Sequence, residues 1–307
     1  MRVEDLVALF LEAKEAQVRR GDLSRKTVRE YRYPLEQVFL PYCHRVGIGE
    51  LSQLDRQALD RFTDQLLTDG AKSGKPLSRP TINSYLRSVN VALNWARSEH
   101  QMDGLRPTKL LRDDRPLLDT LSREEIQRIE NAAELERDKL IVRLLADTGI
   151  RVGELVALRV SDLEEQSEHQ YLKVRGKTLE RKVPIPHLYR RLRRYIQETR
   201  PKRVATDRMF LTRRRRPGSD LAPLTESGVQ QIIRELGEAA EVGRRVHPHL
   251  FRHSFITWQL RRGTTPMILK GMVGHKTITM IDKVYSHLSP TDAYDAMVKS
   301  LAAEEQN

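Results

Sequence analysis

The spacing of apolar residues changes once along this chain, and that change constrains the fold more than any other feature of the sequence. Up to about residue 105, apolar side chains recur every three or four positions, as at Val3, Leu6, Val7, Phe10 and Leu11. This period is typical of amphipathic helices. We therefore predict that the first part of the chain is an all-helical unit of four or five helices.

The second part of the chain has a different pattern, with short extended segments between helices. Three β-strands are predicted at about 159–163, 170–175 and 181–185, with Lys177 in the turn between the last two. Ser122 is followed three positions later by Glu125, the spacing of a capping box that begins a helix. We therefore predict a mainly α protein with a small antiparallel β-sheet.

The segment 107–120 separates these two patterns and has the composition of a linker. It contains two prolines and many charged residues, and its apolar residues show little periodicity. The sequence therefore predicts a helical domain at 1–106, a linker at 107–120 and a mixed α/β domain at 121–307.

The charge balance indicates the class of partner. The formal net charge is +12 and the sequence pI is about 9.9, which favours nucleic acid first and a membrane surface second. No apolar run approaches the ~18 residues that a transmembrane helix needs. Cys43 is the only cysteine, which excludes an internal disulfide and a cysteine-based zinc site and fits a reducing cytoplasm.

The stretch from His247 to Tyr285 carries most of the candidate chemistry. His249 and Arg252 are three residues apart, so on a helix they would face one site. Arginine binds two phosphate oxygens at once through its planar guanidinium. We expect Arg151 and Arg252 to converge on one phosphate, with His275 as a further donor.

Tyr285 is the candidate nucleophile. A free phenol has a pKa of about 10, so it attacks well at neutral pH only where cations stabilise the developing phenolate. Lys177, at the tip of the predicted hairpin, is the candidate general acid for the leaving 5′ oxygen. Because arginines neutralise the phosphate, we expect neither a metal nor another cofactor.

Four segments of the sequence resemble the signature of the tyrosine recombinase, or phage integrase, family. They are TGIRVGEL (148–155), RGKTLERKVPIP (175–186), HPHLFRHSF (247–255) and GHKTITMIDKVYSHL (274–288). Carried over position by position, the resemblance implies the catalytic set Arg151, Lys177, His249, Arg252, His275 and Tyr285. Glu154, three residues after Arg151, corresponds to an acidic residue that braces the family's site, and its place favours an ion pair with Arg151 over a surface charge. The resemblance covers roughly residues 120–290.

The resemblance also implies an architecture and a reaction. The helical part resembles the family's core-binding domain, and the catalytic domain would end in an exchange helix at about 290–303. Four protomers, either identical or paired with a paralogue, would hold double-stranded DNA and exchange strands through 3′-phosphotyrosine bonds and a Holliday junction. No membrane partner is expected, and the location would be a prokaryotic cytoplasm, on the nucleoid. Because the helical domain starts near residue 3, an arm-binding domain is not expected, which favours a Xer-like or transposon-resolvase-like member.

Several alternatives remain open on the sequence alone. A type IB topoisomerase uses similar residues, and a DNA-binding regulator could share the scaffold without catalysis. His249 and His253 have the spacing of a zinc pair on a helix, but the arginine between them is unfavourable for a cation site. Asn83 and Arg87 could read base edges if their helix enters a major groove, and the run Arg213–Arg216 could contact phosphates. Integration, excision and resolution are not distinguished.

Overall fold

The described part of the chain is mainly helical. A computed structural model describes residues 1–68, 76–100, 107–112, 119–176, 180–213 and 221–274. The chain divides into two compact units, Met1–Arg115 and Pro116–Asn307, and the division falls inside the segment 107–120. Among the described helices, none combines the length and apolar composition needed to cross a bilayer. The prediction of a mainly α chain with a small antiparallel sheet is confirmed.

The first unit is built from helices around an apolar core. Its helices are α1 (Val3–Arg19), α2 (Arg25–Pro34), α3 (Leu40–Arg45), α4 (Arg56–Thr68) and α5 (Arg79–His100), and a π-helical turn (Leu35–Phe39) joins α2 to α3. Aromatic rings fill the centre, where Phe10 meets Trp95 edge to face at a centroid distance of 5.8 Å and Phe39 meets Phe62 at 5.2 Å. Helix α5 buries four apolar residues at helical spacing in this core, namely Ile82, Leu86, Val89 and Leu93.

Two asparagines of α5 bind the segment 107–112 through paired hydrogen bonds. The Asn83 amide donates to the Leu111 carbonyl at 2.9 Å and accepts from the Leu111 N–H at 2.8 Å. Asn90, two helical turns further on, makes the same pair of bonds with Thr108, at 2.9 and 2.8 Å. Asn83 is only 2% exposed, so the prediction that it could read base edges is wrong. We refer to these two contacts as the asparagine clamps.

The second unit packs helices around a three-stranded antiparallel sheet of order β1-β2-β3. Its strands are β1 (Leu163–Gln166), β2 (His169–Arg175) and β3 (Glu180–Pro184). Its described helices are α6 (Arg123–Asn131), α7 (Glu136–Thr148), α8 (Val152–Ala157), α9 (Tyr189–Arg194), α10 (Glu226–Ala239), α11 (Pro248–Arg261) and α12 (Pro266–Val273). Leu172 pairs with Leu163 on one side and Val183 on the other, and both Leu172 and Val183 are fully buried.

The boundaries in the second unit agree with local sequence signals except at the first strand. The capping box that begins α6 is confirmed, since Ser122 Oγ accepts from the Glu125 N–H at 3.1 Å and Glu125 accepts from the Ser122 N–H at 2.7 Å. The strand predicted at 159–163 instead begins at Leu163. Asp162 accepts the Arg159 N–H at 2.8 Å, and this bond closes a 3₁₀ turn, Val160–Asp162, before the strand.

Candidate active site

A glycine at the end of α7 allows α11 to approach closely. Gly149 has φ +60°, the left-handed conformation that ends a helix, and a Cβ at this position would overlap the ring of Phe255 on α11. Its carbonyl accepts a hydrogen bond from Arg252 Nη1 at 2.5 Å. The glycine therefore brings Arg252 beside the loop that carries Arg151, two residues further along the chain.

Arg151 stands at the N-terminus of α8 and is paired with Glu154. Its backbone N–H donates to Glu154 Oε2 at 2.9 Å, and its Nη1 donates to Oε1 at 3.1 Å. The ion pair predicted from their spacing is therefore confirmed. Arg151 Nη2 donates to the Gly274 carbonyl at 3.1 Å. The side chain is 38% exposed, so it is partly open to solvent.

Arg252 is buried and lies next to Arg151. It is 4% exposed, and its Nη2 donates to the Val273 carbonyl at 2.7 Å. Arg151 and Arg252 thus donate hydrogen bonds to two consecutive carbonyls at the C-terminus of α12. Burial lowers the pKa of Arg252, and the positive charge of Arg151 lowers it further. Two like charges are therefore held together in a place where a bound anion would relieve their repulsion.

His249 lies one helical turn before Arg252 on α11. Its side chain reaches the surface, yet the surrounding protein lowers its pKa, and the charges of Arg252 and Arg151 lower it further. A pKa below the usual histidine range favours a neutral ring at neutral pH, with one nitrogen able to accept a proton. The neighbouring His247 has a different role, because it caps the N-terminus of α11. Its Nδ1 accepts a hydrogen bond from the Leu250 N–H at 3.2 Å.

Arg181 of β3 also lies in the site and was not predicted from the sequence. Its Nη1 and Nη2 donate to the two oxygens of Glu154 at 3.0 and 2.8 Å, and its Nε donates to the Met272 carbonyl at 2.7 Å. The available signal was its place in the segment 175–186, two residues before the apolar Val183 on a predicted strand, which puts both side chains on the same face. Its partner lies 27 residues away in sequence, beyond the reach of local spacing arguments.

Glu154 is the shared acceptor of this cluster and is 5% exposed. Burial alone would raise the pKa of its carboxyl group. The hydrogen bonds from Arg181 and from the Arg151 N–H outweigh that effect, so the pKa of Glu154 is lowered. Glu154 therefore stays a carboxylate at neutral pH.

The remaining predicted site residues, Lys177, His275 and Tyr285, lie outside the described residues. The same holds for the predicted exchange helix and for three of the four arginines in the run Arg213–Arg216. In the ranges that the structure describes, no three His, Cys, Asp or Glu side chains lie close enough to hold a metal ion. The structure thus brings together Arg151, His249 and Arg252, with Glu154 and Arg181 behind them.

The whole chain has relatives among known proteins. A family model described as "Phage integrase family" matches residues 119–292. Tyrosine recombinase XerD of Staphylococcus haemolyticus is 29% identical over 94% of this chain and 96% of the relative. Tyrosine recombinase XerA of Pyrococcus horikoshii is 30% identical over 71% of this chain and 75% of the relative. The crystal structure of XerH in a post-cleavage complex with a palindromic difH substrate superposes with a TM-score of 0.69 at 20% identity, covering 90% of this chain and 79% of XerH.

Proposed function

This chain belongs to the phage integrase family and is a tyrosine site-specific recombinase, and from that premise we propose how its own residues cleave and rejoin DNA. The observation that carries the proposal is the meeting of Arg151, His249 and Arg252 at the C-terminus of α12. His275 is the next residue in the sequence after Gly274, whose carbonyl binds Arg151.

The scissile phosphate binds between Arg151 and Arg252. Each guanidinium carries five N–H donors, and the carbonyls of Gly149, Val273 and Gly274 occupy only some of them. An anion placed here would also compensate the like charges that lower the pKa of Arg252. Charge-assisted bonds from a planar guanidinium are strong and directional, so the pair would both hold and orient the phosphate.

Tyr285 attacks the bound phosphate. Its oxygen forms a bond to phosphorus while the bond from phosphorus to the 5′ oxygen breaks. The neutral ring of His249 accepts the phenolic proton, Lys177 protonates the departing 5′ oxygen, and His275 donates to the pentacoordinate state. The 3′ end stays esterified to Tyr285 until the 5′ hydroxyl of a partner strand attacks in turn. One ester replaces another at each step, so no external energy source is needed.

The proposed substrate is a double-stranded DNA recombination site. Four protomers, identical or paired with a paralogue, hold two sites and exchange strands through a Holliday junction, with the last helix of each protomer docked on its neighbour. The net charge of +12 supports a polyanionic partner, and the XerH relative was crystallised with its difH substrate. The helical part, 1–106, would bind DNA together with the catalytic part, 121–307, on the nucleoid of a prokaryotic cytoplasm.

Recombination is favoured over relaxation by a type IB topoisomerase and over a regulator without catalysis. The relatives that align over most of the chain are named tyrosine recombinases. A regulator would be expected to have lost groups of the catalytic set, whereas all six are present in the sequence.

The test is covalent capture on DNA. Duplexes selected from a randomised library by binding to the full chain are nicked near the cleavage point, so that the released fragment diffuses away and the adduct accumulates. The wild-type chain should give a protein–DNA band on a denaturing gel, and Tyr285→Phe should bind the same duplex without forming that band. Tyr294→Phe is the matched control and should form it. An adduct that persists in Tyr285→Phe and disappears in Tyr294→Phe would assign the nucleophile to Tyr294.

A further inference from the structure

We propose that Arg181 is a positioning residue of this reaction. It neutralises Glu154, so that the charge of Arg151 remains available to the scissile phosphate. The inference rests on the proposed function, because it takes Arg151 as a phosphate-binding residue.

The hydrogen bonds divide Glu154 unequally between its two arginines. Arg181 is bound side-on, with Nη1 at 3.0 Å from Oε1 and Nη2 at 2.8 Å from Oε2. Arg151 gives the carboxylate only one side-chain bond, from Nη1 at 3.1 Å, together with its backbone N–H at 2.9 Å. Because paired parallel bonds are the strongest arginine–carboxylate geometry, the principal cation partner of Glu154 is Arg181.

Exposure separates the roles of the two arginines. The side chain of Arg181 is 11% exposed and that of Arg151 is 38% exposed. All three nitrogens of the Arg181 guanidinium already donate to Glu154 or to the Met272 carbonyl. Because these donors are engaged, Arg181 is placed to act through its neighbours. Of the two arginines that share Glu154, Arg151 is the one that can reach DNA.

A charge count shows what Arg181 contributes. Three arginines and one carboxylate leave two positive charges uncompensated in the cluster, with His249 neutral. A phosphodiester carries one negative charge, and attack by a phenolate oxygen brings a second into the transition state. Without Arg181 the cluster would keep only one uncompensated positive charge, and the Glu154 carboxylate would be paired with Arg151 alone. Fixed charges aimed at developing charge are usually the largest part of such catalysis.

Arg181 also fixes the end of α12. Its Nε bond to Met272 adjoins the Arg252 bond to Val273 and the Arg151 bond to Gly274, so three successive carbonyls each hold one arginine. The C-terminus of a helix carries a partial negative charge that favours such cations. A Cβ on Gly274 would lie 2.8 Å from Arg181 Nη1, so this contact depends on the glycine.

The experiment compares single-turnover rates of covalent adduct formation on the selected nicked duplex, with DNA affinity measured separately. Removing Arg181 in Arg181→Ala should slow adduct formation by about 100-fold, the usual effect of losing one electrostatic contributor, with a much smaller effect on affinity. The matched control is Arg191→Ala. Arg191 also binds a carboxylate side-on, Glu136 at 2.6 and 3.2 Å, in the same unit but away from the site. It should keep the wild-type rate.

Two further readouts separate charge positioning from a purely structural role. Adding Glu154→Gln to Arg181→Ala should restore part of the lost rate, because it removes the carboxylate that would otherwise compete for Arg151. In Arg181→Ala alone, burial should raise the pKa of Glu154, since its strongest pKa-lowering partner is gone. Acid would then protonate Glu154, so the rate relative to wild type should rise as the pH falls.

The outcomes are distinguishable. If the wild-type chain forms no adduct on any selected duplex, the proposed function fails and this inference fails with it. If wild type reacts and Arg181→Ala is no slower than Arg191→Ala, only the inference fails. It fails equally if Glu154→Gln restores nothing and the rate ratio is flat with pH. If Arg181→Ala does not fold, two other variants replace it. They are the double variant Arg181→Ala/Glu154→Gln and Arg181→Lys, which keeps the charge. Both should form the adduct faster than a variant that lacks Arg151.

Discussion

The asparagine clamps make a quantitative prediction about the segment 107–112. Replacing either Asn83 or Asn90 by alanine removes both hydrogen bonds of one clamp, which are 2.8 and 2.9 Å long. At about 1 kcal/mol per bond the loss is about 2 kcal/mol. Alanine also improves helix propensity over asparagine, but α5 is helical whether the segment is bound or released, so this gain does not alter the opening. The loss of about 2 kcal/mol should increase local opening about 30-fold.

Hydrogen exchange of the full chain measures this opening directly. The N–H groups of Thr108 and Leu111 donate to the two asparagines, so they exchange only when a clamp opens. Mass spectrometry of a peptide covering 107–112 should show about 30-fold faster exchange in Asn83→Ala or Asn90→Ala, the factor that corresponds to the loss of about 2 kcal/mol.

Asn94→Ala is the matched control for this experiment. Asn94 lies on the same helix with its side chain exposed, so its replacement carries the propensity gain without the loss of a clamp. Exchange of 107–112 in Asn94→Ala should equal that of wild type. Equal exchange rates in Asn83→Ala, Asn90→Ala and Asn94→Ala would refute the reasoning, because the two clamps would then contribute nothing to holding the segment.

Two further predictions concern the site. Gly274→Ala should lower the free energy of unfolding of the second unit by more than Gly263→Ala does. Both glycines have positive φ, but only at Gly274 does a new Cβ meet another side chain, that of Arg181, and urea unfolding of the two variants measures the difference. The pKa of His249 is lowered in the folded chain, so the unfolded chain binds the proton more readily and stability falls as the pH drops below about 6.5. His249→Gln should flatten that acid loss in free energies of unfolding measured across pH, and an unchanged slope would contradict it.

Features that depend on neighbouring residues could be predicted from the sequence. The capping box of Ser122 and the pairing of Arg151 with Glu154 both act over three residues, so the printed order of side chains determines them. The helical period likewise predicted the buried face of α1, which consists of Val3, Leu6, Val7, Phe10 and Leu11. Each of these features follows from a spacing of three or four residues along the chain.

Features that depend on a distant partner could not be predicted in this way. Asn83 has the same spacing on α5 whether its amide meets a base or a backbone, and only the folded position of Leu111 decides between them. Arg181 stood among the charges of a predicted hairpin, and its position on the same face as Val183 did not identify its partner, Glu154, which lies 27 residues away in sequence. The start of β1 was displaced because Asp162 closes a turn with Arg159, a competing hydrogen bond that strand periodicity does not reveal.

The choice of acceptors around the arginines has a physical logic. A carboxylate for each arginine would bind more tightly, but it would cancel the charge that a phosphate needs. Carbonyl oxygens hold a guanidinium in place without neutralising it, and four of them, from Gly149, Met272, Val273 and Gly274, serve the three arginines here. The single carboxylate, Glu154, is shared by two arginines and is bound mostly by Arg181, which is less exposed than Arg151. The arginines are thus rigidly placed and keep a surplus of positive charge. Such an arrangement stabilises a dianionic transition state more than it stabilises a bound but unreacted diester.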